Sequence, residues 1–213
     1  MENTKGAIFD LDGTILDSMQ MWMEIDIRFL QEHGICATEE YSQTVKTLGY
    51  RKAAEYTIDR FQLPLSVNEV VSRWGAMADE EYATRIRLKD GAEEYIRRLH
   101  KSGRKLAIAT ALTLSSVEFA LRNNGILDLF ESITMLHEVS RGKGFPDIYL
   151  LAAERLSLTP AECVVYEDIL EGISGAKAGG FLVCGVYDDS SAHDWPQIMS
   201  VADHAITSWH ELL

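Results

Sequence analysis

Short apolar runs punctuate the chain, each closing on small or polar residues. Gly6 to Phe9 leads into Asp10, KLAIAT ends at Thr110, and SITM lies around Ile133. CVVYED closes on Glu167 and Asp168, FLVCGV surrounds Val183, and a weak HAI sits at Ile206. Apolar runs of this length read as strands. They are apolar throughout rather than alternating, the pattern of strands covered on both faces. Between most of them, apolar residues recur at helical spacing: Tyr95, Ile96 and Leu99; Val117, Ala120 and Leu121; Ile148, Leu151 and Ala152. Strand and helix in alternation predict an α/β fold with a parallel sheet and crossover helices.

The interval from Ile15 to Leu88 breaks this rhythm and carries no convincing strand. Its amphipathic pieces are Trp22, Ile25 and Phe29, then Ala54, Ile58 and Phe61, then Val70, Trp74 and Met77. At roughly 75 residues it is large enough for a small helical domain of its own. The expected organisation is therefore a core from 1–14 and 89–213, with an inserted helical domain over 15–88.

Composition narrows the field of partners. The 213 residues are 46% apolar and carry a formal net charge of −13. Such acidity argues against nucleic acid or an anionic membrane surface, both of which call for a basic face. A small anionic substrate stays open, because a metal ion and a lysine reverse the field locally. Cys36, Cys163 and Cys184 form no disulfide framework and no metal-spaced set. The start of the chain reads as neither a signal peptide nor a membrane anchor. No apolar run approaches the roughly 20 residues that span a bilayer. A cytoplasmic protein, monomeric or weakly oligomeric, is the expectation.

The ends of the core strands carry the candidate chemistry. The first ends FDLDGT, the second at Thr110, and the fourth in Glu167 and Asp168. In an open parallel sheet, ligands bind beyond the carboxyl ends of the strands. Carboxylates gathered there repel one another, and a divalent cation resolves the conflict; all-oxygen ligation favours Mg²⁺. Asp10 and Asp12 are two adjacent acids that could divide labour, one ionised and attacking, the other carrying a proton. A strand ending in a solvated Asp-Gly turn would look the same. Thr110, before a helix that begins near Thr113, could bind a phosphate oxygen or act as an ordinary turn residue. Lys143 stands between Gly142 and Gly144, which predicts a flexible, accessible loop. There it could neutralise phosphoryl charge or simply be solvated. Gly172, Gly175, Gly179 and Gly180 are costly in an ordinary helix and point to close backbone packing or to a turn near a ligand.

Four motifs in this order, FDLDGTILDS, the Thr110 strand end, GKGFPDIYL and VVYEDILEGISGAKAGG, resemble those of the haloacid dehalogenase superfamily over essentially the whole chain. The resemblance implies a Rossmann-like core, with the helical insert as a small cap domain, as in the β-phosphoglucomutase-like and phosphatase branch. It implies Asp10 as the nucleophile that forms an aspartyl-phosphate and Asp12 as the general acid and base. Thr110 and the Ala111 backbone would bind phosphate, and Lys143 would stabilise its charge and pin Asp10. Asp10, the Asp12 carbonyl and Asp168 would ligate Mg²⁺, with Glu167 directly or through water. The stretch TLGYRKAAEY resembles the cap's specificity loop, which nominates Gly49, Tyr50, Arg51 and Lys52. Two positions depart from the pattern: Gly144 stands where relatives usually have proline, and Leu112 where they often have a small polar residue.

The implied function is a Mg²⁺-dependent phosphatase acting on a small phosphorylated metabolite such as a sugar phosphate. A hexose phosphate mutase would use the same core residues. A non-catalytic binding protein on this fold is a third reading, opposed by the intact set Asp10, Asp12, Lys143 and Asp168.

Overall fold

The computed structural model describes residues 4–213 apart from Thr47, Gly49 and the side chain of Lys46. Six strands form among the described residues: β1 (Gly6–Phe9), β2 (Lys105–Thr110), β3 (Ser132–Met135), β4 (Cys163–Glu167), β5 (Leu182–Val186) and β6 (His204–Ile206). They lie in one sheet of order β3-β2-β1-β4-β5-β6, all parallel. Every predicted strand is present. β1 and β4 are buried along their whole length, as uniformly apolar strands require.

The strand order reverses direction at β1, with β2 on one side and β4 on the other. This switch point opens a crevice at the strands' carboxyl ends. Phe9 pairs with Ile108 on one side and with Tyr166 on the other. The next residue of each strand is therefore level: Asp10 beside Ala109 and Glu167. The Asp10 amide still donates to the Tyr166 carbonyl, at 3.1 Å, so Asp10 leaves the sheet anchored to β4.

Crossover helices cover the sheet: α5 (Ala92–Lys101), α6 (Leu114–Asn123), α7 (Asp147–Arg155), α8 (Leu170–Ala178) and α9 (Trp195–Val201), numbered after four helices of the insert. The apolar stripe of α5, Tyr95, Ile96 and Leu99, is buried, as is that of α6, Val117, Ala120 and Leu121. On α7 the buried face is Ile148, Tyr149, Ala152 and Ala153, and Leu151 lies at its margin. Tyr149 thus takes the core position that the spacing assigned to leucine.

The chain divides into two compact units. One is the stretch up to Asp17 together with Ile86–Leu213, and the other is Ser18–Arg85. The division falls three residues inside the expected 14/15 and 88/89, for a backbone reason. Asp17 donates to the Arg87 carbonyl at 2.9 Å, Lys89 donates to the Ile15 carbonyl at 2.9 Å, and Leu16 bridges Leu88. The two connecting strands of chain pair with each other before they part.

The second unit holds α1 (Met19–Glu32), α2 (Glu39–Lys46), α3 (Tyr50–Phe61) and α4 (Val67–Thr84). Ile25, Phe29, Tyr41, Ala54, Val70, Trp74 and Met77 form its buried interior. Trp22, Ile58 and Phe61 are only half buried, so the stripes of α1 and α3 are narrower than their spacing suggested. Helix α4 starts on a capping box: Ser66 Oγ accepts from the Glu69 amide at 3.3 Å, and Glu69 accepts from the Ser66 amide at 2.7 Å. No helix among the described residues is long and apolar enough to cross a membrane.

Candidate active site

The loop after β1 is folded around one carbonyl. The amides of Thr14, Ile15 and Leu16 all point at the Leu11 oxygen, at 3.2, 3.0 and 2.9 Å. Gly13 has φ of +73°, a left-handed conformation that disfavours any residue with a Cβ. Asp10 enters this loop buried, at 5% exposure, whereas Asp12 is half-exposed. The two acids therefore sit in different environments, the condition for dividing acid and base roles.

Lys143 is not the accessible loop lysine that its flanking glycines suggested. Its side chain is 9% exposed, and its amine donates to Asp10 Oδ1 and, at 2.5 Å, to Glu167 Oε1. Burial works against its charge, but Asp10 and Glu167 outweigh that and raise its pKa above the ordinary lysine value. Thr14 Oγ1 lies 3.1 Å from Asp10 Oδ2 and 2.8 Å from Asp168 Oδ1. Glu167 is fully buried and accepts from four donors. Oε1 takes Lys143 and the Tyr149 hydroxyl, at 2.9 Å for the latter; Oε2 takes the amides of Asp168 and Ile169 at 3.2 and 3.4 Å.

Two glycines of α8 make room for this arrangement. A Cβ on Gly172 would lie 2.5 Å from Glu167 Oε1, and one on Gly175 would overlap the Lys143 carbonyl oxygen. Close packing, not a ligand turn, is the reason for glycine at both positions. Gly180, in contrast, has φ of +81° and ends the helix.

Oxygens of Asp10, Glu167 and Asp168 lie within 4.8 Å of one another. Burial, with its two acid neighbours, pushes Asp168 well above the usual carboxylate range, and burial above all raises Glu167. One lysine among three buried acids leaves an excess of negative charge. Three hard oxygen donors with that excess suit a divalent cation such as Mg²⁺. The Asp12 carboxylate is not part of this cluster of three.

Thr110 is buried at the end of β2, and its Oγ1 accepts from the Leu112 amide at 3.2 Å. Ala111, next to it, is exposed. Leu112 contributes its backbone here, so an apolar side chain at that position keeps the turn. Thr113 begins α6 by accepting from the Ser116 amide at 3.3 Å. Within the helical unit, Tyr50 packs against Trp22 and Trp74, with ring centroids 5.6 and 5.5 Å away. Arg51 reaches Asn68 at 3.3 Å and Glu55 at 3.8 Å, and Lys52 is exposed. Gly49 lies outside the described residues.

Three residues of the centre escape sequence reasoning. Thr14 and Tyr149 lie inside motifs already quoted, but nothing in their spacing says that a hydroxyl faces a carboxylate. Trp209 is nearly 200 residues from Thr14, yet its indole donates to the Thr14 carbonyl at 3.2 Å. It packs 5.2 Å from Tyr166, which stacks on Phe9 at 4.7 Å. The C-terminal segment thereby steadies the loop after β1.

This sheet, with acids at its switch point and a buried lysine across from them, defines a Rossmann-like hydrolase core. The chain belongs to the haloacid dehalogenase-like hydrolase family, whose model matches residues 7–186. It is 31% identical to validoxylamine A 7'-phosphate phosphatase of Streptomyces hygroscopicus, over 89% of this chain and 87% of that one. It is 29% identical to the putative phosphatase YhcW of Bacillus subtilis, over 83% and 80%. Among solved structures, CbbY from Rhodobacter sphaeroides in complex with phosphate is 25% identical, with a TM-score of 0.82 over 98% of this chain and 96% of that one. A mutant of that protein has also been solved in complex with xylulose-1,5-bisphosphate, 25% identical with a TM-score of 0.81 over 98% of this chain and 96% of that one.

Proposed function

We propose that this protein is a phosphatase of small phosphorylated metabolites that works through an aspartyl-phosphate on Asp10. The observation that carries this reading is the buried Lys143 amine bound at once to Asp10 and Glu167. A lysine so placed holds the Asp10 carboxylate in position as a nucleophile and offers positive charge to a transferring phosphoryl group. The relatives named above as phosphatases, and the sugar bisphosphate in one related structure, support the substrate class.

In the first step an Asp10 oxygen bonds to phosphorus as the bond to the substrate oxygen breaks. Asp12 gives its proton to that leaving oxygen. In the second step Asp12 takes a proton from water, the hydroxide attacks phosphorus, and the Asp10–phosphate bond breaks. Inorganic phosphate leaves, and both acids return to their starting states. Thr110 and the Ala111 amide would hold phosphate oxygens. Asp10, Asp168 and the Asp12 carbonyl would hold Mg²⁺, which supplies charge neutralisation for the phosphoryl group. Glu167 would complete that set directly or through water, and it also anchors Lys143. Choice among esters is assigned to the helical unit, with Tyr50, Arg51 and Lys52 as candidates.

A panel of sugar and polyol phosphates with MgCl₂ should release inorganic phosphate, and Asp10→Asn should reduce release to background. Turnover retained by Asp10→Asn would overturn the mechanism. Conversion of β-glucose 1-phosphate to glucose 6-phosphate without free phosphate would assign a phosphomutase instead.

A further inference from the structure

The reading above uses Asp10, Lys143 and Glu167 but leaves the Tyr149 hydroxyl without a task. Tyr149 is fully buried on α7, with its ring in the core beside Phe181 at 6.3 Å. A buried hydroxyl among apolar side chains costs stability unless it is hydrogen-bonded, and phenylalanine would fill the same space. Its partner is Glu167 Oε1, at 2.9 Å, the same oxygen that receives the Lys143 amine. Tyr149, Glu167, Lys143 and Asp10 thus form one continuous chain of hydrogen bonds across two elements, α7 and β4, and two loops.

We infer that Tyr149 is a positioning residue, which shares the Glu167 carboxylate with Lys143 so that the lysine stays directed at Asp10. The physical reason is a division of charge. Oε2 of Glu167 is held by two backbone amides, and Oε1 divides its accepting capacity between the phenol and the ammonium. Without the phenol, a buried carboxylate lacks one donor and draws the lysine toward itself. Asp10 is then less well neutralised, and the amine is displaced from where phosphoryl charge develops. A shift of this kind acts on the chemical step more than on substrate binding. The inference rests on the proposed phosphatase reading for its kinetic part, but not for its structural part.

The test is Tyr149→Phe, which keeps the ring and removes only the hydroxyl. Outer partners of this kind typically change activity about 10- to 100-fold, so kcat should fall at least about tenfold with KM within about twofold. A second readout needs no turnover. In metal-free protein labelled with ¹⁵N-lysine, the Lys143 ammonium should give a protected signal, assigned by its loss in Lys143→Arg. That signal should shift or broaden in Tyr149→Phe. An unchanged Lys143 signal would overturn the positioning role, whatever the kinetics. A signal shifted in Tyr149→Phe, with a wild-type protein that hydrolyses no phosphate ester, would uphold the positioning and remove the phosphatase reading.

Discussion

The carbonyl oxygen of Lys143 packs directly on the Cα of Gly175, with no space for a methyl group between them. Gly175→Ala should therefore push the Lys143 loop away from Asp10. Overpacking of this kind costs about 1–3 kcal/mol, and a misplacement near 1 Å can cost about 100-fold in rate. The expected result is a modest loss in Tm with a much larger loss in kcat. Calorimetry and steady-state kinetics on the same preparation check it. Gly142→Ala, where an added Cβ meets nothing, is the control and should change neither.

The cluster of Asp10, Glu167 and Asp168 predicts a stabilising cation. MgCl₂ should raise the Tm of the wild-type protein, because a ligand at about 100 times its Kd adds about 2.7 kcal/mol to the folded state. Asp168→Asn removes one of the three acids and should abolish most of that increment. Titration of Tm against MgCl₂ for both proteins measures it. Equal shifts in the two would dissociate the cation effect from this cluster.

Thr14 stands between two acids, so its hydroxyl should matter more than its methyl. Thr14→Val keeps the shape but removes the donor shared by Asp10 and Asp168. Apparent Mg²⁺ affinity should weaken about 10- to 100-fold, as for other groups that orient metal ligands. Thr14→Ser should restore most of it. Activity measured as a function of MgCl₂ concentration separates the three proteins.

A pH dependence of stability should arise in the helical unit. Burial raises Asp26 on α1 to about 7, well above its ordinary value of 3.8. A carboxyl whose folded pKa is raised holds its proton more tightly when folded. It stabilises the fold most when protonated, and that contribution declines as pH climbs from about 4 to about 7. Asp26→Asn should therefore be more stable than wild type at pH 8, by on the order of 4 kcal/mol, with the gap closing near pH 4. Tm measured for both proteins across this range tests the sign. A gap that widens toward acid would contradict it.

Much of the architecture was legible because each signal is local. Uniformly apolar runs mark strands buried on both faces, and all six were identifiable from that pattern alone. The motif residues at the strand ends were legible for the same reason, since a parallel sheet brings its carboxyl ends together. The domain limits were less so. Leu16 and Leu88 are apolar and could join either unit, and their pairing with each other is a long-range backbone event.

The sequence by itself determined the class of fold, the order of the strands' chemistry and the family. Those follow from periodicity and from residues at fixed places in short motifs. Only the tertiary structure decided that Lys143 is buried rather than solvated, because its fate depends on two acids 133 and 24 positions away. Only the tertiary structure gave Thr14, Tyr149 and Trp209 their partners, and gave Gly172 and Gly175 a reason. Each depends on which atom of a distant element arrives within 3 Å or so, and no local pattern encodes that distance.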